Sequence, residues 1–329
     1  MRETCMDIWK TSLITLVRET VRDGLSASLA LFKVTVPVSI VVKLLNDAGF
    51  TMLLGQALAP VMEVVGLPGS MGMVWATGMV TNIYGGLVVY VTVAPQEVLT
   101  VAQVTVLGGM MLAAHSLPVE LRIARMAGIH YSVMLSVRLG GAFLLGSLLH
   151  RIYLAGDWLS IPVRILMPPL AAHTSWGGWA LREVRSMVII ALIITVLLLL
   201  MRILERSGLM RLLCRMLEPP LRWLGMTVNA APVTVIGMMM GVSYGGALIL
   251  QEARSGRMDA RDIFLALTLM GLCHSLFEDT MLMALIGGHL SGLLVARLGF
   301  ALLVIFLAAR LLRRIPEQFF RRFICSPPN

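Results

Sequence analysis

Two short polar segments interrupt apolar stretches of the chain and carry the side chains best suited to chemistry. They supply imidazole, hydroxyl and carboxylate groups, from His115, Ser116 and Glu120 in the first segment and from His274, Ser275, Glu278 and Asp279 in the second. An imidazole titrates near neutral pH and both donates and accepts hydrogen bonds, so beside a carboxylate it can carry a proton or position a polar solute. An ionisable group within an apolar stretch is costly and is therefore a functional candidate.

A structural alternative is that these histidines and serines satisfy backbone groups freed where a helix breaks. That role does not explain why a carboxylate follows the histidine in both segments. We therefore expect both segments to bind a solute.

A tyrosine and two glycines recur in two other apolar stretches, 69–94 and 228–250. The candidate positions are Asn82, Tyr84, Gly85 and Gly86 in the first stretch and Ser243, Tyr244, Gly245 and Gly246 in the second. Glycine lets the backbone approach a bound solute closely. The alternative is a glycine-lined helix crossing with no ligand, and the residues alone favour neither.

The composition is that of a membrane protein. Of the 329 residues, 58% are hydrophobic and only 14% are charged, and the mean hydropathy is +0.86, which excludes a water-soluble fold of one or two domains. The net charge of +9 comes from basic residues lying between apolar runs, so they indicate topology and no nucleic-acid surface is expected. The four cysteines have no paired spacing, so neither a disulfide framework nor a structural zinc site is indicated.

The second half of the sequence superimposes on the first when it is displaced by 159 residues. The matching motifs are His115-Ser116-Leu117 with His274-Ser275-Leu276, Arg138-Leu139-Gly140 with Arg297-Leu298-Gly299, and, after one inserted residue, Tyr84-Gly85-Gly86 with Tyr244-Gly245-Gly246. A single register kept over such a distance predicts a duplicated unit. The predicted organisation is an amphipathic N-terminal helix (1–23), repeat 1 (24–153), a linker (154–184), repeat 2 (185–314) and a cytoplasmic tail (315–329).

Charge asymmetry predicts that the two repeats are inverted in the membrane. The segment Asp47–Leu67 has no Lys or Arg, whereas the equivalent segment Arg206–Met226 has four arginines. By the positive-inside rule these segments lie on opposite sides. Inversion needs an odd number of crossings, yet each repeat has four apolar stretches, so we predict that the glycine-rich stretch is a re-entrant hairpin.

The clearest spanning helices are predicted at 25–45, 131–153, 185–203 and 291–312. The stretch 99–127 is longer than one crossing needs and contains Pro118, so it should break near that residue. Arg138 and Arg297 occupy the middle of predicted spans. We expect each to form a structural ion pair, with Glu120 and Asp279 as the equivalent partners.

The arrangement of a span, an amphipathic segment, a glycine-rich hairpin and a helix interrupted at a polar motif, present twice, resembles the Gate, or nucleoside-recognition, domain. Concentrative nucleoside transporters, the membrane part of the bacterial ferrous-iron transporter and the spore-maturation membrane proteins share this domain, and the resemblance covers residues 24–314. It implies an all-α polytopic membrane fold of two inverted repeats. It also implies that the hairpin tips and interrupted helices, whose residues are given above, hold the solute.

The predicted function is secondary transport of a small polar or amphiphilic solute, nucleoside-like by resemblance, coupled to H⁺ or Na⁺. We expect a homodimer in contact with lipids of the bacterial inner membrane, both termini in the cytoplasm, and no cofactor. An enzyme is not expected, because the sequence has neither a GxSxG nor an HExxH motif.

Two alternatives remain. The first is a membrane scaffold that has kept the Gate fold without transporting. The second is divalent-metal transport, because histidine and carboxylate groups of the two segments would suit ferrous iron or zinc if the segments meet. Their spacing is not a metal-binding motif, so the sequence alone assigns no metal ligand.

Overall fold

The computed structural model describes residues 2–48, 50–163 and 176–325, and this part of the chain is helical with no β-strand beyond two isolated bridges. The first half contains α1 (Arg2–Asp47), α2 (Phe50–Glu63), α3 (Ser70–Val80), α4 (Ile83–Val93), α5 (Val101–Ala113), α6 (Leu117–Met126) and α7 (Tyr131–Gly156). The second half contains α8 (Trp176–Arg206), α9 (Leu209–Trp223), α10 (Ala230–Met240), α11 (Val242–Arg254), α12 (Ala260–Leu272), α13 (Glu278–Leu285) and α14 (Arg297–Arg314), and α15 (Glu317–Phe323) follows. A 3₁₀ turn (Ala94–Gln96) follows α4 and a π-helical turn (Ser291–Ala296) precedes α14.

The predicted all-α polytopic membrane fold is confirmed. Among the described residues, four helical segments are long and apolar enough to cross a membrane: Val101–Met126, Tyr131–Gly156, Trp176–Leu200 and Ser291–Arg314. Three of them coincide with the spans predicted at 131–153, 185–203 and 291–312. The span predicted at 25–45 lies within α1.

The helix predicted over 99–127 is interrupted, as expected, but the break lies on the N-terminal side of Pro118. α5 ends at Ala113 and α6 begins at Leu117, so Pro118 occupies the first turn of α6. Proline is tolerated there because the first N–H groups of a helix have no partner within it. The proline therefore starts the second helix instead of ending the first.

Several predicted boundaries differ from the helix bounds. α1 continues from Arg2 to Asp47 with no interruption between the N-terminal segment 1–23 and the following span. The predicted linker 154–184 includes the end of α7 and the start of α8, and its residues 164–175 lie outside the described part. The predicted tail contains α15, whose Phe320 is fully buried.

The two halves have the same order of elements: a long helix, a helix predicted to be amphipathic, two short helices, two helices separated by a break, and a long helix. The inverted orientation of the halves remains a prediction. α5 and α12 form the centre of the molecule, since every residue from Val104 to Ala113 and from Asp262 to Leu272 is buried. A helix that is buried on all sides must be apolar on all sides, which explains why neither has a polar face.

Candidate functional site

Each interrupted helix breaks at a serine with a left-handed backbone. Ser116 has φ 51° and Ser275 has φ 44°, a conformation that costs a residue other than glycine roughly 1–2 kcal/mol. Backbone hydrogen bonds to the first short helix of the same half hold each break: Ser116 N–H donates to Gly78 O at 3.0 Å, and Leu276 N–H donates to Met238 O at 3.0 Å. Strain of this kind is found where a site needs a defined geometry.

The two histidines occupy the breaks and meet at the centre of the molecule. The Nδ1 atom of His115 donates to Met111 O at 2.9 Å, and that of His274 donates to Met270 O at 2.8 Å. Both side chains are buried, and their Nε2 atoms lie 3.2 Å apart. The break in each helix therefore points an imidazole of one half at its counterpart in the other.

The carboxylates that follow the histidines reach across the same centre. Asp279 Oδ2 lies 3.7 Å from Nε2 of His115 and 3.9 Å from Nε2 of His274. Glu120 Oε1 lies 3.7 Å from Nε2 of His274. Each histidine thus faces a carboxylate of the opposite half, which neither half could arrange alone.

The two buried arginines hold the backbone at the helix breaks through hydrogen bonds. Arg138 Nη2 donates to His115 O at 3.0 Å and its guanidinium pairs with the Glu120 carboxylate, as predicted. Arg297 Nη2 donates to His274 O at 2.7 Å. The two guanidinium groups therefore fix equivalent carbonyl oxygens in the two halves.

The predicted ion pair between Arg297 and Asp279 is wrong. Within the described residues Arg297 has no carboxylate within 4.0 Å, and it donates to Leu272 O at 2.9 Å and to Leu112 O at 3.4 Å as well as to His274 O. The last carbonyl groups of a helix have no partner within it and carry partial negative charge. The ends of α5 and α12 therefore supply carbonyl acceptors to Nε and Nη2 of the guanidinium in place of a carboxylate, while its Nη1 has no hydrogen-bond partner among the described residues.

A cavity of about 530 Å³ opens beside the histidines. Nine predicted solute-binding residues line it: Asn82, Tyr84, His115, Ser116, Glu120, His274, Ser275, Glu278 and Asp279. The Tyr84 hydroxyl and the Glu278 carboxylate both belong to this lining. The structure therefore brings the tip of the first short helix pair and both breaks to one place.

The glycine pairs do not line this cavity. Asn82 caps α4 by accepting a hydrogen bond from Gly85 N at 2.9 Å, and a Cβ atom on Gly86 would collide with the side chain of Met111. A Cβ on Gly245 would overlap the backbone of Gly237, and one on Gly246 would lie 3.0 Å from Ile123. These glycines serve close helix packing, which is the alternative that the sequence left open.

The second tyrosine is also displaced from the site, since Tyr244 is half exposed and not among the cavity residues. The side chain of Ser243 lies outside the described part. Sequence reasoning missed Gly241, which begins α11 as Asn82 begins α4 and which lines the cavity. Gly241 has a φ of 87°, and a Cβ atom at this position would lie only 2.7 Å from Ser275 Oγ. Both observations require glycine here.

Six further cavity residues, none with an ionisable group, were not predicted from the sequence. They are Ala27, Thr81, Ile83, Val119, Met240 and Val242. Thr81 directly precedes Asn82, so its position beside the tip could have been inferred, whereas Ala27 of α1 is an ordinary apolar-stretch residue with no such signal.

Comparison with known proteins identifies a membrane-protein relative and a family model that matches part of the chain. The chain is 28% identical over 285 residues to "Uncharacterized membrane protein YvoD" of Bacillus subtilis (strain 168), a match that covers 85% of this chain and 90% of that protein. No solved structure matches the chain. Residues 187–290 match the family model Gate, described as nucleoside recognition. This match lies in the second half of the membrane protein, and it is to the nucleoside-recognition family that the repeated motifs of the chain resemble.

Proposed function

We propose that the protein is a secondary transporter that carries a small polar solute through the cavity between its two interrupted helices. The observation that carries this proposal is the meeting of four chain discontinuities at one cavity: the starts of α4 and α11 and the breaks before α6 and α13. Discontinuous helices near the middle of the membrane form the solute sites of secondary transporters, because backbone groups and helix ends are available there.

The short helix pairs support the predicted re-entrant hairpins. α3 and α4 have 11 residues each, so each is about 16 Å long. The apolar core of a bilayer is about 30 Å thick, so one such helix cannot cross it. In this proposal α3 enters the membrane, the chain turns at Asn82, and α4 returns to the same side.

The lining of the cavity indicates the chemistry of its solute. Hydroxyl, amide and carboxylate groups of Tyr84, Asn82 and Glu278 stand beside apolar side chains. Its volume lies in the range of about 300–1,000 Å³ that is usual for small-molecule sites. A nucleoside, which combines ring nitrogens and hydroxyl groups with a flat apolar face, is the solute that we propose, in accord with the Gate description.

Coupling to H⁺ or Na⁺ in a bacterial inner membrane, and a homodimeric assembly, belong to this proposal. Glu278 is the group that we expect to exchange the coupling ion, because it lines the cavity and forms no ion pair among the described residues. The alternative function, a membrane scaffold without transport, predicts apolar packing between the interrupted helices. The polar cavity at that place argues against the scaffold.

The test is uptake of radiolabelled uridine and adenosine into proteoliposomes driven by an imposed H⁺ or Na⁺ gradient. We expect gradient-driven uptake by the wild type and loss of gradient-driven uptake by Glu278→Gln, since loss of a single ion-exchanging group at this site removes the coupling. Glu63→Gln, which alters an exposed carboxylate at the end of α2, is the matched control and should keep wild-type uptake. Wild-type protein that takes up neither nucleoside under either gradient would contradict the proposal.

A further inference from the structure

Two lone pairs face each other at the centre of the site. The Nδ1 atoms of His115 and His274 must carry hydrogen, because the backbone carbonyl groups that they contact only accept. A neutral imidazole has a single N–H, so both Nε2 atoms are left with a lone pair. These atoms lie 3.2 Å apart, so an electrophile bound between them would relieve the repulsion of the two lone pairs.

The geometry suits a metal ion. Tetrahedral Zn²⁺ binds imidazole nitrogen at about 2.0–2.1 Å, which separates two ligand nitrogens by about 3.3 Å. The observed Nε2–Nε2 distance is 3.2 Å, and Oδ2 of Asp279 lies 3.7 Å and 3.9 Å from the two nitrogens. The three ligand atoms all lie within 4.8 Å of one another, so one ion could contact all of them after a small movement of the carboxylate.

The groups that contact the two histidines are of the kind that usually surrounds metal-bound histidines. A metal-bound histidine almost always donates its second N–H to a carbonyl or carboxylate, which fixes the orientation of the ring. The carbonyl groups of Met111 and Met270 already accept those hydrogens. Arg138 and Arg297 hold the backbone of the same two histidines, so the ligands are oriented before an ion arrives.

The charges of the site permit a dication. Three carboxylates, of Glu120, Glu278 and Asp279, face two guanidinium groups, of Arg138 and Arg297, which leaves a formal charge of −1. A divalent ion with three protein ligands keeps a fourth position for water or a solute. An anionic ligand in that position, such as hydroxide or an acidic group of the solute, would bring the site to neutrality.

We propose that His115, His274 and Asp279 bind a divalent transition metal ion of the Zn²⁺ class, with the fourth coordination position open to the cavity. Glu120 stays outside the coordination shell because Arg138 holds its carboxylate. Ion binding is independent of solute movement, so this inference stands or falls separately from the proposed transport. The competing occupant is a single proton shared by the two imidazoles.

The first test is calorimetric titration of the full-length, detergent-purified and chelator-stripped protein with ZnCl₂ at neutral pH. We expect one Zn²⁺ per chain and affinities at least about 100-fold weaker for His274→Gln and Asp279→Asn, because changes outside the first shell already cost 10–100-fold. His130→Gln is the matched control, since His130 begins α7 away from the cavity, and it should keep wild-type affinity.

The second test needs no variant. X-ray absorption spectra of the zinc-loaded wild type should show two imidazole nitrogens at about 2.0 Å in a four-coordinate shell. Wild-type protein that binds no Zn²⁺, or that binds it equally well after His274→Gln with the fold intact, would overturn the proposal. A six-coordinate shell of oxygen atoms without imidazole would also overturn it.

Discussion

Arg138 and Arg297 occupy equivalent positions in α7 and α14 but meet different partners. Arg138 pairs with Glu120, whereas Arg297 is surrounded by the carbonyl groups of Leu112, Leu272 and His274. The sequence indicates that an arginine within a span needs a partner, and Asp279 is the carboxylate equivalent to Glu120. The carbonyl groups at a helix end belong to any residue type, so they leave no signal in a sequence.

These partners predict different energetic couplings. Arg138→Met leaves a buried carboxylate unpaired and should destabilise the protein by about 3–5 kcal/mol, part of which Glu120→Gln should restore in the double variant. Arg297→Met should be destabilising too, but Asp279→Asn should restore less in that background, because the two side chains form no ion pair. Thermal unfolding of the single and double variants in detergent measures both couplings. Equal coupling in the two pairs would contradict the assignment of partners.

The two Tyr-Gly-Gly motifs do not occupy equivalent places in the short helices of the two halves. The paired Tyr-Gly-Gly motifs match only after one inserted residue, and one residue along an α-helix is a rotation of about 100°. Tyr84 therefore faces the cavity, whereas Tyr244 is half exposed. The register of 159 residues pairs Asn82 with Gly241, and the structure places both at the start of a helix beside the cavity. The breaks themselves were predictable, because histidine and serine recur there in a single register.

The contact between α10 and α11 should tolerate no added methyl group. Gly245→Ala would force its Cβ into the backbone of Gly237, so we expect a destabilisation of about 1–3 kcal/mol. Gly299→Ala is the matched control in α14, where a Cβ meets nothing within 4 Å. It should raise stability by up to about 1 kcal/mol through helix propensity. Melting temperatures in detergent compare the two, and a similar shift for both variants would refute this packing.

The whole molecule consists of two halves with a common order of elements and one shared centre. That order was predictable because polar motifs recur in a fixed register, whereas the inversion that charge asymmetry indicates remains a prediction. The crossed approach of each histidine to the carboxylate of the opposite half was not predictable, since it depends on how α5 and α12 pack together. The same packing brings residues from separate sequence motifs together in one site.

Inversion can be tested with one cysteine in each half. Val64 and Trp223 are equivalent in register, and both are exposed at the ends of α2 and α9. In a background without native cysteines, Val64→Cys should react with an impermeant maleimide from the periplasmic side, and Trp223→Cys only from the cytoplasmic side. Labelling of both from one side of intact cells would rule out inverted repeats.

The docked C-terminal segment has a consequence for how the molecule can move. The carbonyl of Ile324 accepts a hydrogen bond from the His130 N–H at the start of α7, while Ile315 O accepts one from Arg261 at the start of α12. Phe320 is fully buried between these attachments. α15 and its flanking residues therefore connect the two halves at one end of the molecule. In the transport that we propose, alternating exposure of the cavity would either rotate the halves about α15 or withdraw Phe320 from its buried position in each cycle.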